Sequence, residues 1–397
     1  MKLEPQIKDL KLDKSDLCKN PHRTVDVDGH VLEPRNTWKE YLEPKYKKRS
    51  IEFAMEDSGE VLLVDGEPLE VVRNRTALLG GIDNDPEVLL RGGKKLVYED
   101  GCPPASYLPT ERLKVMDREG IDISLLYPTV GICWEGKTSD GELAAAYTRA
   151  YNRWLVDFCS YDRQRLIPIA HISLLDPELA VREIRRAAKD GCKGIFLSPD
   201  LKPRGMRHFD HPELSKVWDT AQDLALPISF HVVVRDERSH SYFDPNGEKA
   251  YRFGLFDFSF LAIDVMAAFT EFLSLGLLEK YPNLKVAILE SGANWISAWL
   301  DRMDHKFEVV RSTTTLTKKP SDYFFRQCIV SADPDETLTG PIVKHMGDDY
   351  FVWASDYPHV DASYGVLNEI KNNLSGISRE SKRKVLGDNA IRFYELS

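Results

Sequence analysis

The chain has 397 residues, of which 42% are hydrophobic and 29% charged, the proportions of an ordinary globular protein. Its 53 Lys plus Arg against 63 Asp plus Glu leave a net charge of −10, so it has no general attraction for phosphate backbones and nucleic acid is not an expected partner. No apolar run reaches the roughly 18 to 20 residues of a bilayer span, so a membrane is not expected either.

The opening segment MKLEPQIKDLKLDKSD is charged and lacks the apolar stretch of a signal peptide, which points to the cytoplasm. The six cysteines (Cys18, Cys102, Cys133, Cys159, Cys192, Cys328) are scattered without a C-x-x-C pair. That argues against a zinc knuckle, an iron–sulfur cluster or a redox dithiol and predicts free thiols. TVDVDGH (24–30) reads as a first strand. Residues 45–110 then break the pattern. IEFAMEDSGEVLLVDGEPLEVV carries turns at Asp57-Ser58-Gly59 and Asp65-Gly66 between period-2 segments, which predicts a small antiparallel meander. A Gly-, Pro-, Asn- and Asp-rich loop follows, and long excursions after a barrel strand often cap the active-site mouth.

From about residue 111, short apolar runs alternate with helical spacing. The runs are 121–128, 166–174, 193–198, 226–234, 284–291, 327–332 and 350–355. Strands that are apolar throughout are covered on both faces, as in parallel sheets. In PELAVREIRRAAKDGCKGIFLS, Pro177 sits near the helix start and Gly191 releases the helix into the next strand. Eight strands with intervening helices predict an α/β fold, a (β/α)8 TIM barrel, as one domain over 1–397 with a β-rich insertion at 45–110. An open doubly wound sheet is the competing architecture. It would normally show a Gly-rich phosphate turn after the first strand, and TVDVDGHVLEP is not one.

Barrel chemistry sits at the C-terminal ends of strands. There the sequence places Asp28, His30 and Glu33 (strand 1), His171 (strand 3), His231 (strand 5), Glu290 (strand 6), and Asp356 and His359 (strand 8). Asp28 and His30 are two apart and share a face. With His231 and Asp356 they offer two imidazoles and two carboxylates to one centre, a donor set that suits divalent Zn, Mn or Fe. Glu33 and Glu290 are spare carboxylates for the same mouth, with a second metal as one use. Each residue also has a plainer role: His231 as a hydrogen-bonded core residue, Glu290 as an ion-pair partner of Arg302, Asp356 as a turn residue, His171 as wall or core. The group gains weight because its members share one end of successive strands. No Walker loop, G-x-S-x-G elbow or H-E-x-x-H helix supports other chemistry.

At these residues the sequence resembles the amidohydrolase superfamily, in the amidohydrolase-2 branch that includes aminocarboxymuconate semialdehyde decarboxylase. The resemblance runs through VDVDGHVLEP, RLKVMDREGIDISLLYPT, YPNLKVAILESGANWISAWLDRMD, ASDYPH and KVLGDNAIRFY. It implies a distorted (β/α)8 barrel and one divalent metal, or two, held at Asp28, His30, His231 and Asp356, with Glu33 as a further ligand. The family's usual His-x-His is here Asp28-Gly29-His30, which exchanges a neutral ligand for an anionic one and favours Mn or Fe over Zn. The resemblance implies a hydrolase or decarboxylase acting on a small carboxylate-containing molecule, with Asp356, Glu290 and His359 catalytic and His171 binding substrate. A dinuclear Fe/Mn oxygenase, which the carboxylate-rich strand-1 motif resembles, and an inactive barrel serving as a partner subunit are the competing readings. Barrels of this family pack as homo- or hetero-oligomers, and an oligomer is expected here.

Overall fold

The computed structural model describes residues 23–92, 97–99, 102–201, 204–236 and 255–396. The charged opening segment and Cys18 lie outside the described residues. Twelve strands form three sheets among those described: β1 (Val25–Val31), β2 (Glu52–Met55), β3 (Glu60–Val64), β4 (Glu67–Pro68), β5 (Ile123–Pro128), β6 (Leu166–Pro168), β7 (Ala170–His171), β8 (Ile195–Leu197), β9 (Ile228–Phe230), β10 (Val286–Ile288), β11 (Cys328–Ala332) and β12 (Phe351–Trp353). One sheet runs β1-β5-β6 and another β7 through β12 in chain order, with every recorded pair parallel.

The run expected as a single third strand is split at Ile169. Ile169 N donates to Leu126 O (3.2 Å), whereas Ala170 N donates to Gly194 O (3.0 Å), so the chain passes from one sheet to the other within two residues. No ladder joins β1 to β12 among the described residues, but their ends touch: Asp356 N donates to Asp28 O (2.9 Å) and His30 N to Tyr357 O (2.7 Å).

Alternation along the strands builds two cores. Leu125, Tyr127, Phe196, Ala287, Ile329 and Val352 pack with one another inside, while Leu126, Ile195, Phe230, Ile288, Val330 and Trp353 pack against the helices. Burial on both faces is why these strands read as continuous apolar runs. The helices have the termini their sequences call for. Helix Gly141–Cys159 starts at Asp140, whose carboxylate accepts from Leu143 N (3.1 Å). Helix Pro177–Asp190 starts at Asp176, which accepts from Leu179 N (3.0 Å), and ends at Gly191 with φ +99°.

Between β1 and β5, β2 and β3 pair antiparallel across Asp57-Ser58-Gly59, and β3 and β4 across Asp65-Gly66, as the turn residues predict. At the C-terminus the turn Lys384–Asp388 packs on the start of β1 so closely that a Cβ at Gly387 would lie 1.9 Å from Arg23 O. Asn389 Nδ2 donates to Asp348 O (2.7 Å) and Phe351 O (2.8 Å), holding the same segment to β12.

Candidate metal centre

β1 carries a register shift against β5: Asp26 pairs with Ser124, but Gly29 pairs with Leu126, so one extra residue lies between them. This bulge turns Asp26 to the helix side and Asp28 and His30 to the interior. Asp26 accepts from Ser124 Oγ (2.8 Å), Ser355 N (2.9 Å) and Ser355 Oγ (2.9 Å), tying β1 to β5 and to the end of β12. The buried Arg112 faces it and donates to His30 O (2.8 Å). Gly29 sits against this knot, where a Cβ would meet Ser124 Oγ at 2.5 Å, Arg112 Nη2 at 2.6 Å and Asp26 Oδ2 at 2.7 Å.

On the interior side six expected residues converge. His30 Nδ1 donates to Pro128 O (2.9 Å) and His231 Nδ1 to Val232 O (2.8 Å), so each ring turns its Nε2 towards the centre. The two Nε2 atoms lie 3.0 Å apart. Asp28 Oδ1 is 3.5 Å from each of them, and Asp356 Oδ1 is 3.5 Å from His30 Nε2. Glu290 Oε2 lies 2.7 Å from His231 Nε2, so Glu290 is not engaged as an ion-pair partner of Arg302. His359 Nδ1 is 2.7 Å from Asp356 Oδ1, and its Nε2 is 3.1 Å from Thr129 Oγ1.

Glu290 and Asp356 both have left-handed backbone, φ +46° and +52°, a conformation that costs an ordinary residue free energy and that clusters at functional sites. Both oxygens of Asp28 are buried with no hydrogen-bond partner, while Glu290 Oε2 and Asp356 Oδ1 are buried against His231 and His359. His30 is shared by two sets of donor atoms, Asp28–His30–His231 and His30–Asp356–His359, each lying within 4.8 Å of one another, and imidazoles and carboxylates so grouped fit a divalent cation.

The electrostatics agree. Burial pushes the Asp28 carboxyl up to about 8, with Glu290 adding to the rise. Burial disfavours a charged His231, yet Glu290 and Asp28 lift it to about 9. His30 is held well below its usual range by burial and by His359 and His231, and His359 is lowered to about 3 by burial and by His231. The cluster calls for positive charge, whether a proton on His231 or a bound ion.

Two expected residues lie apart. Glu33 Oε2 accepts from Val130 N (2.9 Å) and Oε1 from Gly131 N (3.2 Å), so its carboxylate is committed to the backbone after β5. His171 Nε2 contacts Glu135 Oε1 (2.7 Å), the start of a buried ion network that continues through Arg204, Asp200 and Arg235. Sequence reasoning did not single out Arg112, Thr129, Ser355 or Asp361. The first three act through backbone or hydroxyl contacts that only the fold creates, although Asp361 stands just beyond the strand-8 motif.

A cleft of about 640 Å³ opens over the cluster. Leu78 and Leu79 from the segment between β1 and β5, Ile132, Val232, Phe258 and Val360 form its walls, and Glu290, His359 and Asp361 line it beside them.

Comparison with known proteins places the fold in a family. A gamma-resorcylate decarboxylase from Polaromonas sp. is 25% identical over 302 residues, covering 72% of this chain and 87% of that protein. The structure of an amidohydrolase from Mycobacterium avium subsp. paratuberculosis superposes with a TM-score of 0.75 at 20% identity, over 94% of this chain and all of that one. A 5-carboxyvanillate decarboxylase from Novosphingobium aromaticivorans, solved with bound manganese and 3-methoxy-4-hydroxy-5-nitrobenzoic acid, gives 0.67 at 20% identity, over 95% and 98% of the two chains. The family model described as amidohydrolase matches residues 100–396. The chain belongs to the amidohydrolase family, in its amidohydrolase-2 branch.

Proposed function

We propose that the protein is a metal-dependent decarboxylase of a small aromatic carboxylate, that its two parallel sheets are one distorted (β/α)8 barrel, and that residues 45–110 are an insertion walling the cleft. The observation that carries the reading is the pair of Nε2 atoms 3.0 Å apart, each fixed by a backbone carbonyl on the other ring nitrogen, beside the unpartnered Asp28. His30, His231, Asp28 and Asp356 would hold the ion, and hard carboxylates beside imidazoles suit manganese. When bound, the ion supplies a Lewis acid for the substrate's oxygen atoms.

The chain's own groups do the rest. The apolar walls take a flat ring and keep water from it. Glu290, in the cleft lining, accepts from a hydroxyl beside the reacting carboxylate. Before an ion is bound, burial, with Glu290, Asp361 and Asp28, pushes Asp356 well above its usual range, which makes it the group poised to relay a proton from solvent. That proton passes to the ring carbon as the carbon–carboxyl bond breaks: carbon dioxide leaves, and the electron pair of the broken bond forms the new C–H bond. His359, between Thr129 and Asp356, keeps the Asp356 carboxyl aimed. Loss of carbon dioxide is preferred to hydrolysis because the curated relatives are decarboxylases. One metal is preferred to two because Glu33 is committed to backbone amides.

The test is elemental analysis of protein purified without chelator, with carbon dioxide release and oxygen uptake measured on hydroxybenzoates. One equivalent of metal and carbon dioxide without oxygen uptake are expected. His231→Ala and Asp356→Ala should each lower metal affinity by at least about tenfold. Two metals with oxygen consumption, or turnover without carbon dioxide, would overturn the reading.

A further inference from the structure

The cluster has two approaches of opposite character. Besides the apolar cleft, a second recess of about 620 Å³ reaches it past the ends of β10, β11 and β12. Its lining includes Asp333, Asp335, Glu369, Asp28 and Asp356, and no Lys or Arg among the described residues. Glu290 and Asp361 line both recesses and stand between them. Asp335 and Glu369 are exposed at the rim, Asp333 is half-buried, and Asp28 is fully buried with both oxygens unpartnered. Carboxylates thus follow one another from solvent to the cluster.

We propose that this acid-lined recess is the route by which a divalent cation reaches the cluster, separate from the apolar cleft that admits the organic substrate. The inference rests on the metal-dependent reading above. A hydrated divalent ion gives up water only where oxygen ligands replace it, and the apolar walls provide none. A recess lined by one sign of charge also concentrates counter-ions and raises their association rate by about 10- to 1,000-fold.

The full-length chain is stripped with chelator, and uptake of Mn²⁺ is followed by stopped flow in wild type and in Asp335→Asn/Glu369→Gln. These two rim residues lie outside the proposed ligand set. The association rate should fall about tenfold at low salt in the double variant. Wild-type uptake should slow with added salt more steeply than the variant's, while the dissociation rate and final stoichiometry stay unchanged. Glu111→Gln/Glu178→Gln, which removes the same charge outside both recesses, should leave uptake at the wild-type rate. Unchanged uptake by the rim variant, an equal fall in the control, or a lower stoichiometry would overturn the route alone. No uptake by wild type would overturn the metal-dependent reading and the route with it.

Discussion

Asp28, His30 and Gly29 show how much chemistry one short stretch of strand can hold. The interior side chains meet the cluster, while Gly29 leaves room for the contacts of Asp26, Ser124 and Arg112 behind them. Gly29→Ala should therefore destabilise the protein by about 2 kcal/mol through overpacking. The expected readout is a lower denaturant midpoint with an unchanged m-value. The residues that converge were legible in the sequence because polar groups at the ends of apolar strands are conspicuous. Asp26 and Glu33 were harder, since nothing in a one-dimensional spacing distinguishes a carboxylate aimed at a metal from one that accepts hydroxyl or backbone N–H groups. Arg112 was invisible for the same reason: on a helix of charged residues, a guanidinium turned inward to His30 O looks like any solvated one.

Element positions were legible because two-sided burial writes itself as apolar runs, and the meander followed from its turn residues. The bulge in β1 and the break at Ile169 were not, because both arise from how neighbouring strands register and leave no compositional mark. The C-terminal segment KVLGDNAIRFY also acquires a physical role. Its turn must pass within van der Waals distance of the backbone at the head of β1, which only a residue without Cβ permits at Gly387. Gly387→Ala should cost about 3 kcal/mol, since the clash is with backbone and cannot be relieved by a rotamer change. Thermal or chemical unfolding of the purified variant measures this, and a change below about 1 kcal/mol would show that the turn yields freely.

For the whole molecule, a net charge of −10 is partly spent in one place, with Asp28, Glu290, Asp333, Asp335, Asp356, Asp361 and Glu369 around two joined recesses. Folding without a cation must bring these charges together, so the native state should gain stability from a metal that the unfolded chain does not bind. At a free Mn²⁺ concentration one hundred times Kd the gain is about 2.7 kcal/mol. Wild type should then melt several degrees higher with Mn²⁺ than after chelation, and His231→Ala should show no such difference. Among the described residues no helix is long and apolar enough to cross a membrane. The bulge also partitions strand 1 into two independently adjustable halves. Exchanging Asp28 for an imidazole would retune which ions the pocket prefers, yet leave untouched the mortise at Asp26 that keeps the first and last strands joined, so selectivity can drift without the architecture having to follow.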